Sequence, residues 1–380
     1  MQIIKGKTNF DFIGKRKVAL FISSIVNIAI LVGIAIFGFN LGVDFAGGTL
    51  VEVKFAANTT AEQVREGAVK GGLKEPQVQA IGDPGNFILR MGGVTQLTED
   101  SEKAAEAAIR GLGEVVSLTK NLDTGIINVH FKTPVDPATI KSAVIASGTG
   151  VTEVMNLGES DYQIKAEGMA ARVTSALKAG LEGADFEVRR TDYVGPQVGK
   201  QLRNKGLMAL IWAMLFILIY VAFRFDLKFG PGALLAMLHD VIMVAGYFLV
   251  TRREFNLTSI AVLLTIIGYS INDTIVIYDR IREEMVKYKG KPLPEIINIA
   301  VNDTLARTIL TSGVTALSLI GLLVYGVGEI FDFAAAMLVG IVVGTYSSVY
   351  IASPLVIWLD EREHEKEAQG GGGNMKAKPA

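Results

Sequence analysis

A single carboxylate interrupts a membrane-length apolar run. In the stretch GYSINDTIVIYDRIREE, residues 268–284, Asp273 is the only charged residue between Phe255 and Tyr278. An ionised Asp at the centre of a membrane helix costs about 2.5–3.5 kcal/mol on insertion scales, and apolar surroundings favour the neutral carboxyl group. Asp273 therefore has the properties of a proton carrier, and Asn272 and Thr274 beside it are candidate hydrogen-bond partners.

Arg307, in the stretch TLARTILTS (304–312), is the candidate counter-charge for Asp273. The two residues belong to consecutive apolar runs, which predict antiparallel helices and similar depths in the membrane. An approaching guanidinium favours the ionised carboxylate and a retreating one favours protonation, which would tie helix movement to proton uptake. Two plainer interpretations stay open. Asp273 would then be a hydrogen-bond partner between helices, and Arg307 a basic flank at the membrane boundary.

A second polar pair, His239 and Asp240, interrupts another apolar run. A satisfied structural pair and a component of the proton pathway are equally good interpretations, and we include Asp240 among the candidate pathway residues. Three further charged residues lie at the end of the run that contains Asp273, and we interpret them as solvated flanks: Asp279, Arg280 and Arg282.

Most catalytic and cofactor chemistry lacks a sequence signal. The chain has no cysteine, which excludes disulfides and thiolate catalysis, and its three histidines are far apart. GPQVGKQ (195–201) has three residues between its glycines and Gln after its Lys, so it is not a phosphate-binding loop. We therefore expect no enzyme activity, no cofactor and no metal site. The net charge of −1 gives no basic field, so we expect no nucleic-acid partner.

Six apolar runs are long enough to cross a membrane. Half of the 380 residues are hydrophobic, and the mean hydropathy is +0.39. A helix crosses the roughly 30 Å hydrocarbon core with about 20 residues. The fold class is therefore a multi-pass α-helical membrane protein, with one helix before a long outer region and five after it. The predicted spans are 18–39, 205–223, 230–250, 256–278, 306–328 and 333–359.

The basic residues indicate the orientation of the spans. Lys and Arg crowd the chain before the first span, after the second, between the fourth and fifth, and after the sixth. The short loops on the other side carry only Arg252 and Arg253. The positive-inside rule then places both termini in the cytoplasm and the region between the first two spans outside.

The outer region is an α+β region that repeats itself. At an offset of 76 residues, apolar and glycine positions match: Val51 with Ile127, Phe55 with Phe131, Val64 with Ile140, and Gly72 with Gly148. Each repeat has the pattern strand–helix–strand–strand–helix–strand, which is typical of a ferredoxin-like unit. We predict two consecutive units, 40–122 and 123–204, with Thr59 or Thr60 capping the first helix.

Three segments on the cytoplasmic side complete the predicted layout. Residues 1–17 form a basic N-terminus, and the loop 279–305 contains a short amphipathic helix around Ile296 and Ile297. Residues 360–380, which end in QGGGGNMKAKPA, form a flexible tail.

Four stretches together resemble the SecF family of protein-export membrane subunits. GVDFAGGTLVEVKF (42–55) is similar to the signature after the first helix of that family. GYSINDTIVIYDRIREE (268–284) and LARTILTS (305–312) are similar to the signatures of its fourth and fifth helices, and DYVGPQVGKQL (192–202) to the entry into its second. The family pattern has one ferredoxin-like unit outside, and this chain is predicted to have two.

The resemblance implies a half-transporter of the resistance-nodulation-division type in the bacterial inner membrane. It implies a SecD partner, the SecYEG channel and an exported unfolded polypeptide, with protons as the energy source and lipid as the surroundings. It assigns the proton path to Asp273 and Arg307, and it places Asp44, Gly47 and Gly48 in a motif that we interpret as structural. The alternative function is a related exporter of a lipid or a small hydrophobic molecule.

Overall fold

The computed structural model describes residues 8–56, 59–73, 76–81, 84–92, 99–121, 125–181 and 184–370. The chain divides into two compact units. One comprises Leu41–Asn204, and the other comprises Met1–Asn40 together with Lys205–Ala380.

Helices and strands alternate in the first unit, and long helices form the second. In chain order the elements are α1 Arg16–Phe37, α2 Val43–Ala46, β1 Gly48–Phe55, α3 Ala61–Lys70, β2 Gln77–Ala80, β3 Asn86–Gly92, α4 Glu99–Arg110, β4 Val115–Asn121, β5 Ile126–Phe131, α5 Pro137–Ala146, β6 Val151–Asn156, β7 Asp161–Ala166, α6 Met169–Gly180, β8 Phe186–Val194, α7 Pro196–Arg224, α8 Gly230–Thr251, α9 Leu257–Lys287, α10 Leu293–Tyr325, α11 Glu329–Ser347 and α12 Ser353–Gly370.

Six helical segments of the described chain are long and apolar enough to cross a membrane, which confirms the predicted six. They are α1, α7, α8, α9, α10, and a sixth formed by α11 and α12 with the π-helical turn Ser348–Ala352 between them. The apolar runs form helices because, without water, a chain satisfies its backbone groups only within such an element. Asn256 begins α9 as an N-cap, since its side chain accepts a hydrogen bond from the Ser259 amide.

The predicted amphipathic helix between the fourth and fifth spans is not a separate element. Ile296 and Ile297 are buried in the first turns of α10, which continues without a break to Tyr325. Pro292 precedes the helix and Pro294 lies in its first turn, where proline is tolerated. After them the sequence contains no further glycine or proline until Gly313, so nothing ends the helix at the membrane boundary.

The predicted flexible tail is helical as far as it is described. Residues 360–370 belong to α12, because EREHEKEAQ is rich in residues that favour helices. The rest of the predicted tail, 371–380, and the predicted N-terminal residues 1–7 lie outside the described residues.

The α+β unit contains two four-stranded antiparallel sheets, which confirms the ferredoxin-like prediction. The strand orders are β2-β3-β1-β8 and β4-β5-β7-β6. Both correspond to the order expected of a βαββαβ unit, with the first strand in the centre between the third and the fourth. The predicted cap of the first helix is present too, since Thr60 and Gln63 form a capping box at the start of α3.

The membership of the two sheets differs from the predicted division after residue 122. The helix–strand pair α4–β4, which ends the first repeat, joins the sheet of the second, and α6–β8, which ends the second, joins the first. The repeats thus exchange their last helix and strand. Periodicity could not reveal this, because α4–β4 and α6–β8 occupy equivalent positions in the repeat and either sheet can accept either pair.

Each sheet has its own hydrophobic core. In the first, Val51, Val53 and Leu89 of the sheet pack against Val173 and Leu177 of the exchanged helix α6. In the second, strand residues around Tyr162 and Ile164 pack against Ala105 and Ile109 of α4.

Candidate functional site

Asp273 lies in the interior of the helical unit. It occupies the middle of α9 and is 4% exposed. Thr274 is also buried, but its hydroxyl donates to the Ser270 carbonyl oxygen at 3.4 Å, and Asn272 is exposed. Among the described contacts neither residue donates to Asp273, because neighbours along a helix point in different directions. The predicted hydrogen-bond support from Asn272 and Thr274 is therefore not seen.

Arg307 lies on α10, which packs along α9. It is exposed and lies near enough to Asp273 for its charge to act on the carboxylate. In the part of the chain that the structure describes, the two residues form no ion pair. The structure thus brings the predicted pair into one neighbourhood and leaves a gap between the two charged groups.

Among the described residues of the helical unit, Asp240 is the most deeply buried carboxylate, at 0% exposed. His239 Nδ1 lies 2.9 Å from its Oδ1 atom, and the Oδ2 atom accepts from Ser270 Oγ at 2.5 Å and from Ser347 Oγ at 2.8 Å. The side chain therefore connects its own helix α8 to α9 and α11.

Sequence reasoning missed Ser270 and Ser347 as partners of Asp240. Ser270 lies one turn before Asp273 and Thr274 on α9, so the 3.6-residue period places all three on one side of that helix. This shared side was a usable signal. No comparable signal exists for Ser347, which is one serine among many small residues of α11.

The charged residues after Asp273 are more than solvated flanks. Arg280 pairs with Glu284 on its own helix at 2.7 Å and with Asp303 of α10 at 2.5 Å. Asp279 pairs with Arg224 at the end of α7, at 3.2 Å. These ion pairs join the C-terminal end of α7 to α9, and α9 to α10.

The motif after the first helix forms a close backbone contact. Gly47 has φ +73°, and a Cβ atom there would lie 2.8 Å from Pro196 Cα in the first turn of α7. A Cβ on Gly199 would in turn lie 3.1 Å from the Gly47 amide nitrogen and 3.2 Å from the Asp44 carbonyl oxygen. Gly48, with φ +136°, begins β1. The contacts involve the backbone of Asp44 and Gly47, and the structural role of Asp44, Gly47 and Gly48 stays a prediction.

Neither of the two carboxylate sites has the composition of a metal centre. Among the described residues, no group of three or more His, Asp or Glu side chains lies together as metal ligands would. The partners of Asp240 are a histidine and two hydroxyl groups.

Comparison with known proteins identifies the family. Residues 173–362 match the family described as "Protein export membrane protein SecD/SecF, C-terminal", and residues 32–58 match the "SecD/SecF GG Motif". The chain is 40% identical over 370 residues to the protein translocase subunit SecF of Magnetococcus marinus, with 97% of each chain covered. The chain belongs to the SecD/SecF family. The SecF of Koribacter versatilis is 36% identical over 384 residues, covering 93% of this chain and 92% of that one.

Two solved SecDF structures share the fold. The crystal structure of SecDF from Thermus thermophilus, described as a translocon-associated membrane protein, is 30% identical with a TM-score of 0.65. The match covers 95% of this chain and 40% of that chain. A second SecDF structure, in a super-membrane-facing form, is 28% identical with a TM-score of 0.54, covering 97% of this chain and 41% of the other. The family membership and the six apolar helices make the chain a multi-pass membrane protein.

Proposed function

We propose that the chain is an accessory subunit of the Sec protein translocase that works with a SecD partner and uses the proton-motive force to drive polypeptide export. The observation that carries the proposal is the buried Asp273 carboxylate within a membrane-length helix, with the Arg307 charge nearby and unpaired with it. Such a pair can change its interaction as the carboxyl group gains or loses a proton. The names of the relatives support this function over export of a lipid or a small hydrophobic molecule.

A SecD partner explains the unoccupied face beside this pair. On α9, Asn272 is exposed and a Cβ on Gly268 would meet no other atom within 4 Å. On α10, a Cβ on Gly313 or on Gly321 would likewise meet no other atom within 4 Å. Small residues let membrane helices approach closely, so this face suits a partner helix. The matched SecDF chain also has more than half of its length unmatched, where a SecD part is expected.

The orientation follows from the basic residues. We place both termini in the cytoplasm of a bacterial inner membrane and the α+β unit on the periplasmic side. The helical unit would have two conformations with different affinities for the proton. Proton movement inward through the region of Asp273 and Arg307 would then shift the equilibrium between them. The α+β unit would then act on the unfolded polypeptide that leaves the SecYEG channel.

The test is the Asp273→Asn variant, compared with Asp279→Asn on the same helix. Asparagine has the same shape as aspartate and can still form hydrogen bonds, but its side chain cannot gain or lose a proton as a carboxyl group does. We expect Asp273→Asn to insert into the membrane and bind SecD, yet to lose the proton-dependent stimulation of export in membrane vesicles. Asp279, paired with Arg224 and 47% exposed, should tolerate the same change. If Asp273→Asn stimulates export at the wild-type rate, Asp273 is not a proton carrier and acts as a structural hydrogen-bond partner.

A further inference from the structure

A large cavity borders His239, the ring partner of Asp240. Its volume is about 710 Å³, and α1, α8, α11 and the π-helical turn surround it. Most of the lining is apolar. Its polar side chains are Lys15, Ser23, His239, Tyr346 and Tyr350. Lys15 marks the end at which α1 begins, which is the end that we place at the cytoplasmic surface.

His239 borders this cavity and carries an unpaired ring nitrogen. The side chain is 5% exposed, and its Nδ1 atom lies against Asp240 Oδ1. Its Nε2 atom is buried and has no hydrogen-bond partner among the described residues. The His239 side chain is one of those that line the cavity. A buried polar atom left unpaired costs about 1–3 kcal/mol, and such an atom calls for an explanation.

The surroundings of Asp240 satisfy both of its protonation states. When Asp240 is ionised, Ser270 and Ser347 both donate to Oδ2. When Oδ1 is protonated, it donates to His239 Nδ1, 2.9 Å away, and both serine hydroxyls still donate to Oδ2, now as weaker bonds to a neutral carboxyl group. Neither state leaves the carboxyl group without partners.

We propose that His239 and Asp240 form a second proton-binding site, loaded from this cavity. A proton arriving from the cavity binds His239 Nε2, and the proton on Nδ1 passes to Asp240 Oδ1. The pair then carries one added proton, and release along the same route restores the starting state. The other titratable side chains that line the cavity are Lys15 beside the start of α1, Tyr346 from α11 and Tyr350 from the π-helical turn.

The site is connected to the proposed carrier through α9. Ser270, which donates to Asp240, lies one turn before Asp273 on the same helix. Loading of the pair changes the hydrogen bonds that join α8 to α9 and α11, and so changes the packing of the helix that positions Asp273. This coupling rests on the proposed proton-driven function, whereas the binding of a proton by the pair does not.

The first experiment follows the ring nitrogens directly. The chain has only three histidines, so histidine-labelled full-length protein in lipid nanodiscs gives three sets of ring signals. The variants His130→Gln and His364→Gln, at side chains 39% and 74% exposed, assign the remaining set to His239. We expect the His239 ring signals to differ between acidic and alkaline samples, and we expect Asp240→Asn to alter that difference. His239 ring signals that are identical in acidic and alkaline samples would overturn the proposal.

The second experiment separates this site from the proposed function. Export stimulation is measured at several pH values with wild type and His239→Gln, each with SecD. We expect the pH profile of the variant to flatten, with His364→Gln unchanged. If wild type shows no proton-dependent stimulation, the proposed function fails and the titration still decides the fate of the second site. If stimulation is proton-dependent and His239→Gln keeps the wild-type profile, the coupling is wrong.

Discussion

Gly180 of α6 packs directly on Gly67 of α3. A Cβ atom on Gly180 would overlap the Gly67 carbonyl oxygen, and one on Gly71 would overlap the backbone of Ala176. These glycines let a helix from the second repeat lie against a helix from the first. The contact is therefore specific to the exchanged arrangement of the two ferredoxin-like sheets.

Gly180→Ala should destabilise the first sheet. The added methyl group meets backbone atoms, which cannot rotate away, and overpacking of this kind costs about 1–3 kcal/mol. Hydrogen exchange of the full chain should become faster in α3, α6 and β8. The control is Gly158→Ala, where the new Cβ would lie 3.7 Å from Asp161 Oδ2, an ordinary contact. Unchanged exchange in all three elements would mean that α6 does not pack on α3.

The sequence predicts the helices and strands of the α+β unit well, but it does not predict which strands pair and which helices pack together. LVEVKF at β1 and IINVHF at β5 alternate as half-buried strands do, and the structure confirms both. The choice between β4 and β8 as the neighbour of β1 depends on contacts between distant segments such as Gly67 and Gly180. Local patterns do not contain those contacts, so the division after residue 122 was wrong.

Engineered cysteine pairs should report the exchange directly, because the chain has no native cysteine. Lys54 of β1 is paired with Glu187 of β8. Directly opposite residues have Cα atoms about 4.5–5.5 Å apart, a spacing that suits a disulfide. The double variant Lys54→Cys, Glu187→Cys should therefore form a disulfide on oxidation. If the chain is then cleaved between the two positions, the disulfide holds the fragments together, and gel electrophoresis shows this as a mobility shift.

The matched control uses the equivalent position of the second repeat. His130 corresponds to Lys54 at the offset of 76 residues, and consecutive units would pair it with Glu187. In the structure His130 lies opposite Asp161 in the other sheet. His130→Cys with Glu187→Cys should stay unlinked, and efficient cross-linking of that pair would support consecutive units.

Single residues of the membrane site were predictable, and their connections were not. Asp273 and Asp240 stand out because charge is costly in an apolar run. Their hydrogen-bond partners come from other helices, and helix packing decides which hydroxyl reaches which carboxylate. Ser347 is the example, since it reaches Asp240 from a position 107 residues away in the sequence.

Gly47→Ala should weaken the contact between the motif after the first helix and the start of α7. An alanine at this position must adopt φ +73° and ψ 159°, a conformation that costs a non-glycine residue about 1–3 kcal/mol. Its Cβ would also lie 2.8 Å from Pro196 Cα. Gly72→Ala separates the two effects, because Gly72 has φ +95° and open space around it. We expect Gly47→Ala to lower the midpoint of thermal unfolding more than Gly72→Ala. If both variants lower the unfolding midpoint equally, backbone strain alone explains the loss of stability, and the contact between Gly47 and Pro196 contributes nothing.

Asn302→Ala should release the segment before α1 from α10. The Asn302 side chain accepts from the Phe10 amide at 2.9 Å and donates to the Phe10 carbonyl oxygen at 2.9 Å, as a neighbouring strand would. Asn298 adds a contact to the Phe12 amide at 2.9 Å. Loss of a buried hydrogen-bond partner costs about 1–3 kcal/mol, so the Phe10 amide should exchange markedly faster in the variant. Asn302→Asp keeps the acceptor and loses the donor, which predicts an intermediate rate. The same exchange rate in all three proteins would show that the segment is held by its other contacts alone.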